Sequence, residues 1–221
     1  MHPYSIDKNL RSMFSIAIFI ASMIISILVD ESILKVIQNI LGCFKNDKIN
    51  RIVDLLRWLD INFGCCGVIF WYNLLAWSYD KYLWKTRIFM AIHQIPNMNG
   101  HWVGSLKSSA SNDLIPMEMN ITQTWTEISF CSIFKKTNSC SYSNVAAIYN
   151  KGYSEKEICF AFKNESFDID SNMQVYYGYN ILTLVDERII WARYCNDRQN
   201  PNSENKGGNK GVFYLERLNK V

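Results

Sequence analysis

The chain has 221 residues, 49% of them hydrophobic, and a formal net charge of +3. This length suffices for one domain of about 100–150 residues and a further segment. Residues 1–95 hold ten basic and seven acidic side chains, whereas residues 96–221 hold thirteen of each. The second part is therefore formally neutral. This argues against binding to a nucleic-acid polymer, which depends on many phosphate contacts, and leaves room for a small anionic ligand.

Two charge-free apolar runs occupy the first part of the chain. Ser12–Val29 reads SMFSIAIFIASMIISILV, and Ile61–Tyr79 reads INFGCCGVIFWYNLLAWSY. Each is close to the roughly 20 residues that a helix needs to cross a bilayer. Asp30 and Glu31 follow the first run without a small-residue cleavage pattern, so we expect an uncleaved anchor rather than a signal peptide. The sequence therefore predicts a membrane domain over residues 1–95 with two transmembrane helices, at about 12–29 and 61–79.

The segments that flank these runs are helical in pattern. Residues 33–44 and 49–59 repeat apolar side chains at i, i+3, i+4 and i+7, which indicates an amphipathic connection between the spans. Residues 80–92 predict a linker helix that ends before QIPNMNG. Basic residues on the two sides of the spans nearly balance, so the positive-inside rule gives a near tie for orientation. A hairpin of two spans nevertheless places both of its ends on one side of the membrane.

From residue 96 onward, short alternating segments are separated by Gly, Asn, Ser and Asp. They predict eight strands, at about 101–108, 115–124, 126–136, 142–149, 157–164, 173–184, 187–197 and 211–218. Many short strands with regular turn signals are typical of a β-sandwich or a β-barrel. Eight strands are also enough for a barrel to hold one small ligand. We therefore expect residues 96–221 to form a cytosolic, ligand-sensing domain, an antiparallel up-and-down minimal β-barrel of lipocalin-like type.

The alternation of side chains identifies which residues of each strand point inward. Antiparallel order of neighbouring strands then groups these residues at two ends of the barrel. Trp102 begins the first strand and Arg217 ends the last, so both lie at one end, with Trp125 near them. The polar inward residues expected at the other end are Ser108, Asn164, Asn196 and Arg198. One end is therefore predicted to be an aromatic floor near the membrane, and the other a polar rim.

Arg198 is the strongest candidate for contact with a ligand. An inward arginine at the end of an apolar face needs a partner, and a phosphate group would bind it through two hydrogen bonds. The alternatives are exposure at the rim or an ion pair with one of three nearby acidic residues, Asp186, Glu187 and Asp197.

Inward aromatic side chains provide surfaces on which nucleobases stack. The candidates are Tyr194, Trp125, and Phe160 or Phe162, and the alternative for each is a place in the hydrophobic core. Gly100-x-Trp102 combined with Arg217 is typical of a barrel floor, where the arginine stacks on the tryptophan. Such a cation–π contact is worth about 0.5–2 kcal/mol.

The chain carries no recognisable catalytic motif. It has no G-x-S-x-G, no H-E-x-x-H, no phosphate-binding loop and no paired inward carboxylates. Seven cysteines without a C-x-x-C pair, together with three histidines, do not predict a zinc site. We therefore expect neither an enzyme nor a cofactor or metal, and no functional role for His93 or His101.

Five segments follow the two spans in a characteristic order, and together they resemble a known family. They are GHWVGSLKSS (100–109), ITQTWTEIS (121–129), CFAFKNE (159–165), ARYCNDR (192–198) and GVFYLER (211–217). The chain resembles the two-transmembrane β-barrel effectors of bacterial CBASS anti-phage defence, the CD-NTase-associated membrane effectors. Tyr176-Tyr-Gly178 stands where H-x-G is expected, and Ala192 stands where glycine is expected. These departures bear on the identity of the ligand.

The resemblance implies a barrel that binds a cyclic dinucleotide. Together with the face assignment, it gives this ligand-binding set: Ser108, Ser109, Gln123, Trp125, Asn164, Tyr194, Asn196 and Arg198. Trp102 and Arg217 are assigned to the floor. The resemblance further implies that the chain is a multi-pass protein of the bacterial inner membrane, with its barrel in the cytoplasm. A nucleotidyltransferase or cyclase-like polymerase would supply the ligand.

The implied activity is membrane disruption. Ligand binding would drive the spans into homo-oligomers within the lipid bilayer, the membrane would lose its integrity, and the infected cell would die. A reversed arrangement is also open, in which a constitutive cyclic dinucleotide restrains the protein until a phage sequesters it. Two further alternatives are a membrane-anchored lipocalin-like carrier of an apolar ligand and an assembly protein with a filled barrel.

Overall fold

The computed structural model describes residues 1–6, 9–42, 67–109, 113–150, 156–166, 175–185, 188–197 and 209–218. The chain divides into two compact units. Met1–Asp7 joins Trp84–Val221 in one unit, and Lys8–Leu83 forms the other. The barrel unit therefore includes residues from both sides of the helical unit, whereas the sequence places one boundary near residue 95.

The first element of the helical unit is a long apolar helix, α1 (Leu10–Gly42), of 33 residues. Its stretch Leu10–Val29 is long and apolar enough to cross a membrane, and little of it is buried. The predicted first span, Ser12–Val29, lies inside this stretch. The prediction of one apolar N-terminal helix is thus confirmed.

A second helix, α2, occupies residues 67–81 of the described chain. The predicted second span begins at residue 61, and residues 61–66 lie outside the described residues. In the part of the chain that the structure describes, one helix meets the length and hydropathy required for a span, and it is α1. The second transmembrane helix stays a prediction.

Ring contacts show how the two helices pack. Phe14 stacks on Tyr79 with 5.1 Å between the ring centroids, and Phe19 meets Tyr72 edge to face at 6.2 Å. Residue numbers rise along α1 as they fall along α2, so the helices form an antiparallel hairpin. Outward apolar side chains such as Ile16, at 61% exposure, remain uncovered within the unit.

The predicted linker helix over 80–92 is broken in the structure. A short 3₁₀ turn, Leu83–Lys85, is followed by helix α3 (Arg87–His93). Gln94 then adopts a left-handed conformation with φ of 58° and ends α3, because such a residue cannot continue a right-handed helix. Residues 94–99 run from this point into the barrel.

The barrel is a closed sheet of nine strands in the described residues. The strands are β1 (His2–Ile6), β2 (Gly100–Ser108), β3 (Leu114–Gln123), β4 (Glu127–Phe134), β5 (Ser139–Asn150), β6 (Lys156–Ser166), β7 (Tyr176–Val185), β8 (Ile189–Asn196) and β9 (Lys210–Arg217). Strands β2 to β9 pair antiparallel in sequence order, and β9 closes on β2. The prediction of an all-β, up-and-down barrel is confirmed for these eight strands.

The predicted count of eight strands is wrong because the N-terminus adds β1. This strand lies between β4 and β5, antiparallel to the first and parallel to the second. Five residues that include a proline carry little strand signal, since proline is disfavoured inside sheets. Its partners also lie more than 100 positions away, so no local pattern announces the pairing.

Inward side chains fill the barrel in layers, as strict alternation requires. In the middle layer the rings of Phe130 and Phe160 stack with centroids 4.1 Å apart. Gly104 lies opposite Leu215, where a Cβ atom would come within 1.9 Å of the Tyr214 carbonyl oxygen. The missing side chain therefore allows the close approach of β2 and β9 that closes the sheet.

Replacing Gly104 with alanine should destabilise the barrel, since the added methyl group collides with backbone rather than with a flexible side chain. Overpacking of this kind costs about 1–3 kcal/mol. Chemical unfolding of the full chain in detergent, followed by tryptophan fluorescence, measures the loss. Ser105→Ala, one position along the same strand, should change stability by less than about 0.5 kcal/mol. Equal stability of the two variants would contradict this role for Gly104.

Candidate functional site

One end of the barrel is closed by stacking between Trp102 and Arg217. The two residues are register partners on β2 and β9, and the Arg217 guanidinium carbon lies 4.6 Å from the centre of the Trp102 ring. Trp102 is fully buried. Gly100 sits beside the arginine with φ of 143°, in a region that favours glycine. The structure thus brings the two predicted floor residues together.

The segment that follows α3 completes this floor through backbone hydrogen bonds. The Met98 N–H donates to Gln123 Oε1 at 2.9 Å, and the Trp102 indole donates to the Met98 carbonyl at 3.0 Å. Arg217 Nη2 donates to the Asn97 carbonyl. The linker is therefore fastened to the barrel by side chains of three different strands.

His93, at the end of α3, is buried in the same region at 3% exposure. Its Nε2 donates to the Trp84 carbonyl at 2.8 Å, and its Nδ1 accepts the Ile95 N–H at 2.9 Å. Both contacts fit the neutral ring with its proton on Nε2, because a protonated Nδ1 could not accept. Burial lowers the pKa of His93 below 6.5, the backbone bond to Trp84 raises it, and the charge of Lys156 lowers it further. The sequence reading, which expected no role for His93, missed this contact.

Gln123 and Trp125 lie at the floor and not at the ligand end. Gln123 is 5% exposed, and its side chain holds the linker. Trp125 is 6% exposed, and its ring centre lies 4.9 Å from that of His93. The structure does not bring these two predicted ligand residues near Ser108 or Asn196, because β3 runs antiparallel to β2 and ends where β2 begins.

The other end of the barrel contains a cavity of about 90 Å³. Three predicted ligand residues line it: Ser108, Tyr194 and Asn196. The remaining lining residues are Leu106, Ile115, Met117, Ser132, Phe134, Thr137, Ser139, Ser141, Phe162, Tyr176, Asn180 and Phe213. Hydroxyl and amide groups thus alternate with apolar side chains, which suits a ligand with both polar edges and flat apolar faces.

Asn164, a predicted ligand residue, is fully buried and is not one of the residues that line this cavity. Its register partners, Ser141 and Tyr176, both line it. The amide Nδ2 donates to Ser141 Oγ at 2.8 Å, while Oδ1 accepts no hydrogen bond from the described residues. Asn164 therefore positions a serine of the cavity wall rather than facing the cavity itself.

Several cavity residues were missed by sequence reasoning. Ser132, Ser139, Ser141 and Asn180 are all buried and polar. They occupy inward positions of β4, β5 and β7, the strands to which the sequence reading gave no inward face. The alternation of side chains could have revealed these residues, because it places serine or asparagine at inward positions. On β5 the bulge interrupts the alternation and hides this signal.

Basic side chains lie beside the cavity rather than within it. A groove on the outer wall is lined by Ser109, Lys107, Arg193 and Lys210, and it shares Ser108 and Tyr194 with the cavity. Ser109, predicted to reach the rim, therefore faces this groove. Arg198, the predicted phosphate ligand, lies outside the described residues, two positions after Asn196. Asp197, one of its alternative partners, accepts the Tyr177 N–H at 2.7 Å.

A closed barrel with a plugged floor and a polar-lined cavity at its other end is the architecture of a small-ligand receptor. The family model described as "Cap15, cyclic dinucleotide receptor domain" matches residues 93–208. The match covers more than half of the chain, and the chain belongs to this family. It agrees with the resemblance to CBASS effectors. No curated protein matches the chain.

The buried state of His93 predicts a pH dependence of stability. Since its pKa is lowered in the folded state, the unfolded chain binds more protons below pH 6.5. The contribution of His93 to the free energy of unfolding is fully present above pH 6.5. It is lost as the pH falls from 6.5 to the lower pKa of the folded state. Unfolding of the full chain at pH 7.5, 6.5 and 5.5 measures the slope.

His93→Gln should flatten this slope, because the substituted side chain does not titrate. A slope that persists in His93→Gln would show that other groups cause the pH dependence.

Proposed function

We propose that this protein is a non-enzymatic effector whose barrel binds a cyclic dinucleotide and thereby controls the association of its membrane helices. Association of the helices disrupts the inner membrane and kills the infected cell. The observation that carries the proposal is the polar-lined cavity inside the region that belongs to the cyclic dinucleotide receptor family.

The cavity supplies groups suited to a nucleobase. Tyr194 offers an aromatic ring, and base–aromatic stacking contributes about 1–3 kcal/mol per base. Asn180 and Asn196 present amide donors and acceptors. Hydrogen-bonding groups of this type read the polar edge of a base, while the ring contacts its face.

The phosphates of the ligand lie at the rim in this proposal. Arg198 lies two positions after Asn196 in the sequence, and Lys107 and Lys210 line the adjoining groove. Ligand pockets usually span about 300–1,000 Å³, so a cavity of about 90 Å³ holds only part of a cyclic dinucleotide. The remainder extends past the rim toward these cations, or the walls move outward.

The lining of the cavity favours binding over catalysis. Among the described residues around it, none is acidic, basic or a thiol. Its serine and threonine hydroxyls are weak nucleophiles unless an adjacent base activates them, and the described lining places no carboxylate, histidine or lysine beside them. This lining supports a receptor. The same polar groups disfavour a carrier of apolar ligands.

The connectivity of the chain supports two membrane crossings. Met1–Asp7 and Trp84–Val221 belong to one compact unit, so residues 8–83 leave that unit and return to it. A segment that starts and ends on the same side of a bilayer crosses it an even number of times. We therefore assign α1 and α2 as the two spans of a multi-pass inner-membrane protein, with the barrel in the cytoplasm.

The ligand either activates or restrains the protein. It activates if it binds better to the form with associated helices, and it restrains if it binds better to the form with separate helices. In the activating arrangement, a nucleotidyltransferase makes the ligand during infection and the ligand-bound form associates. In the restraining arrangement, a constitutive ligand holds the helices apart until its removal. Both arrangements use the same cavity, and they predict opposite cellular results.

Replacement of Tyr194 by leucine should weaken cyclic dinucleotide binding about 5- to 150-fold, because one stacking surface is lost. Calorimetry on the full chain in detergent, with a panel of 3′,3′ and 2′,3′ cyclic dinucleotides, measures the change. Tyr179→Leu is the matched control, since Tyr179 lies on neighbouring β7, is 40% exposed and is absent from the cavity lining. Equal affinities of the two variants would place the ligand elsewhere, and no heat with any compound would refute the proposal.

Expression with and without a ligand-producing nucleotidyltransferase tests the cellular role. Dye uptake and growth report membrane integrity. Leakage only when the enzyme is present supports activation, and leakage only when it is absent supports restraint. Intact membranes under both conditions, in cells that contain ligand-competent protein, would contradict membrane disruption.

A further inference from the structure

The barrel wall forks between β4 and β5. These strands pair directly only from Cys131–Phe134 to Ser139–Tyr142. Beyond that point the strands separate, and β1 occupies the space between them. Its pairs are His2 with Ile128 and Pro3 with Glu127 on one side, and Tyr4 to Ile6 with Ala146 to Ile148 on the other. The N-terminus thus completes a wall that would otherwise have two open edges.

Side chains mark the point of the fork. The register of β5 shifts between Ser143 and Val145, which is the irregularity that turns this strand away from β4. Ser143 Oγ accepts the Phe130 N–H at 2.9 Å in place of a backbone carbonyl. His2 Nε2 bonds the same oxygen at 2.7 Å. One serine hydroxyl therefore connects β4, β5 and β1.

The strand β1 is held by few interactions. Tyr4 is its buried anchor, at 2% exposure, and its hydroxyl donates to the Thr124 carbonyl at 3.3 Å. Pro3 has no N–H with which to extend the ladder. The other strand pairs contain between four and eleven register partners, whereas β1 has two on one side and three on the other. Among the strands that the structure describes, β1 therefore has the fewest register partners.

The closed half of the same hairpin forms part of the ligand cavity. Ser132 and Phe134 of β4 and Ser139 and Ser141 of β5 line it. Ser141 lies two positions before the serine of the fork. The wall of the cavity and the strands that hold β1 are therefore parts of one β4–β5 hairpin.

In the open half of the hairpin, β1 lies between β4 and β5, and a short stretch of chain connects β1 to the helices. Only residues 7–9 separate β1 from the start of α1 at Leu10. Through β1 the first helix is joined to the wall of the barrel, and through the linker after α2 the second is joined to its floor.

We propose that β1 is a strap between the ligand cavity and α1, and that ligand binding loosens its seat in the β4–β5 fork. The proposal rests on the function proposed above, since it assigns the step by which an occupied cavity acts on the helices. In the empty barrel the strap ties α1 to the wall. Once loosened, α1 is free to associate with other copies.

Hydrogen exchange on the full chain in detergent tests the strap without any variant. The cyclic dinucleotide with the largest binding heat is added, and peptide-level exchange is followed by mass spectrometry. Exchange of residues 2–6 should rise at least about 10-fold with ligand, while residues 158–162 of β6 should not exchange faster, because exchange reports local opening. Unchanged or slower exchange of residues 2–6, with ligand bound, would overturn the strap and leave the receptor function intact. Absence of binding heat would remove both.

A disulfide across the fork provides a second test. Ser5 and Ala147 are register partners, and neighbouring strands lie about 4.8 Å apart, within the Cα separation that a disulfide spans. The variant S5C/A147C also carries Cys159→Ser, since Cys159 is the register partner of Ala147 on β6 and would compete for the disulfide. It should bind ligand at least about 5-fold more weakly when oxidised than when reduced, as expected for a coupling of ordinary size. A crosslink between β7 and β8, T183C/W191C, serves as the control and should show no such difference.

Equal affinity of the oxidised and reduced S5C/A147C protein would contradict the strap. So would a crosslink that joins two chains on a non-reducing gel, because β1 would then occupy the fork of another copy.

Discussion

Closure of the sheet between β2 and β9 is the constraint on which the rest of the barrel depends. Seven register pairs join these strands, and Gly104 permits the backbone contact that brings them together. Once the sheet is closed, side-chain alternation leaves no choice about which residues point inward. The same register sets Trp102 beside Arg217 and Ser108 beside Gly211, so each end of the barrel acquires its chemistry from one strand pairing.

The two ends of the barrel use their polar side chains differently. At the floor they bind the linker: Arg217 donates to the Asn97 carbonyl and stacks on the Trp102 indole, and Gln123 accepts the Met98 N–H. At the other end, hydroxyl and amide groups line a cavity instead. The floor therefore holds a segment of the chain itself, whereas the cavity end leaves room for a ligand.

Much of this arrangement could be predicted because strands with one buried face carry a strong period-2 signal. The inward faces of β2, β6, β8 and β9 and the separation of floor from rim all follow from that period. Three features could not be predicted in this way. β1 is too short and too distant from its partners to show a pattern. Gln123 was assigned to the ligand by motif, although the register of β3 places it at the floor. Trp125 was assigned to the ligand as well, although its expected place near Trp102 and Arg217 already indicated the floor. The role of His93 depends on tertiary contacts with Trp84 and Trp125 that leave no mark on its neighbours in the sequence.

The position of β1 also imposes an order on assembly. It precedes the other described strands, yet its partners on β4 and β5 lie more than 120 residues later in the chain. The wall can be completed only after the helices and half of the barrel have been made, and pairing over such separations is slow. Until then β4 and β5 each carry an unpaired edge in the fork. Unpaired strand edges promote aggregation during folding, so the late arrival of its partners makes β1 a guard against misassembly.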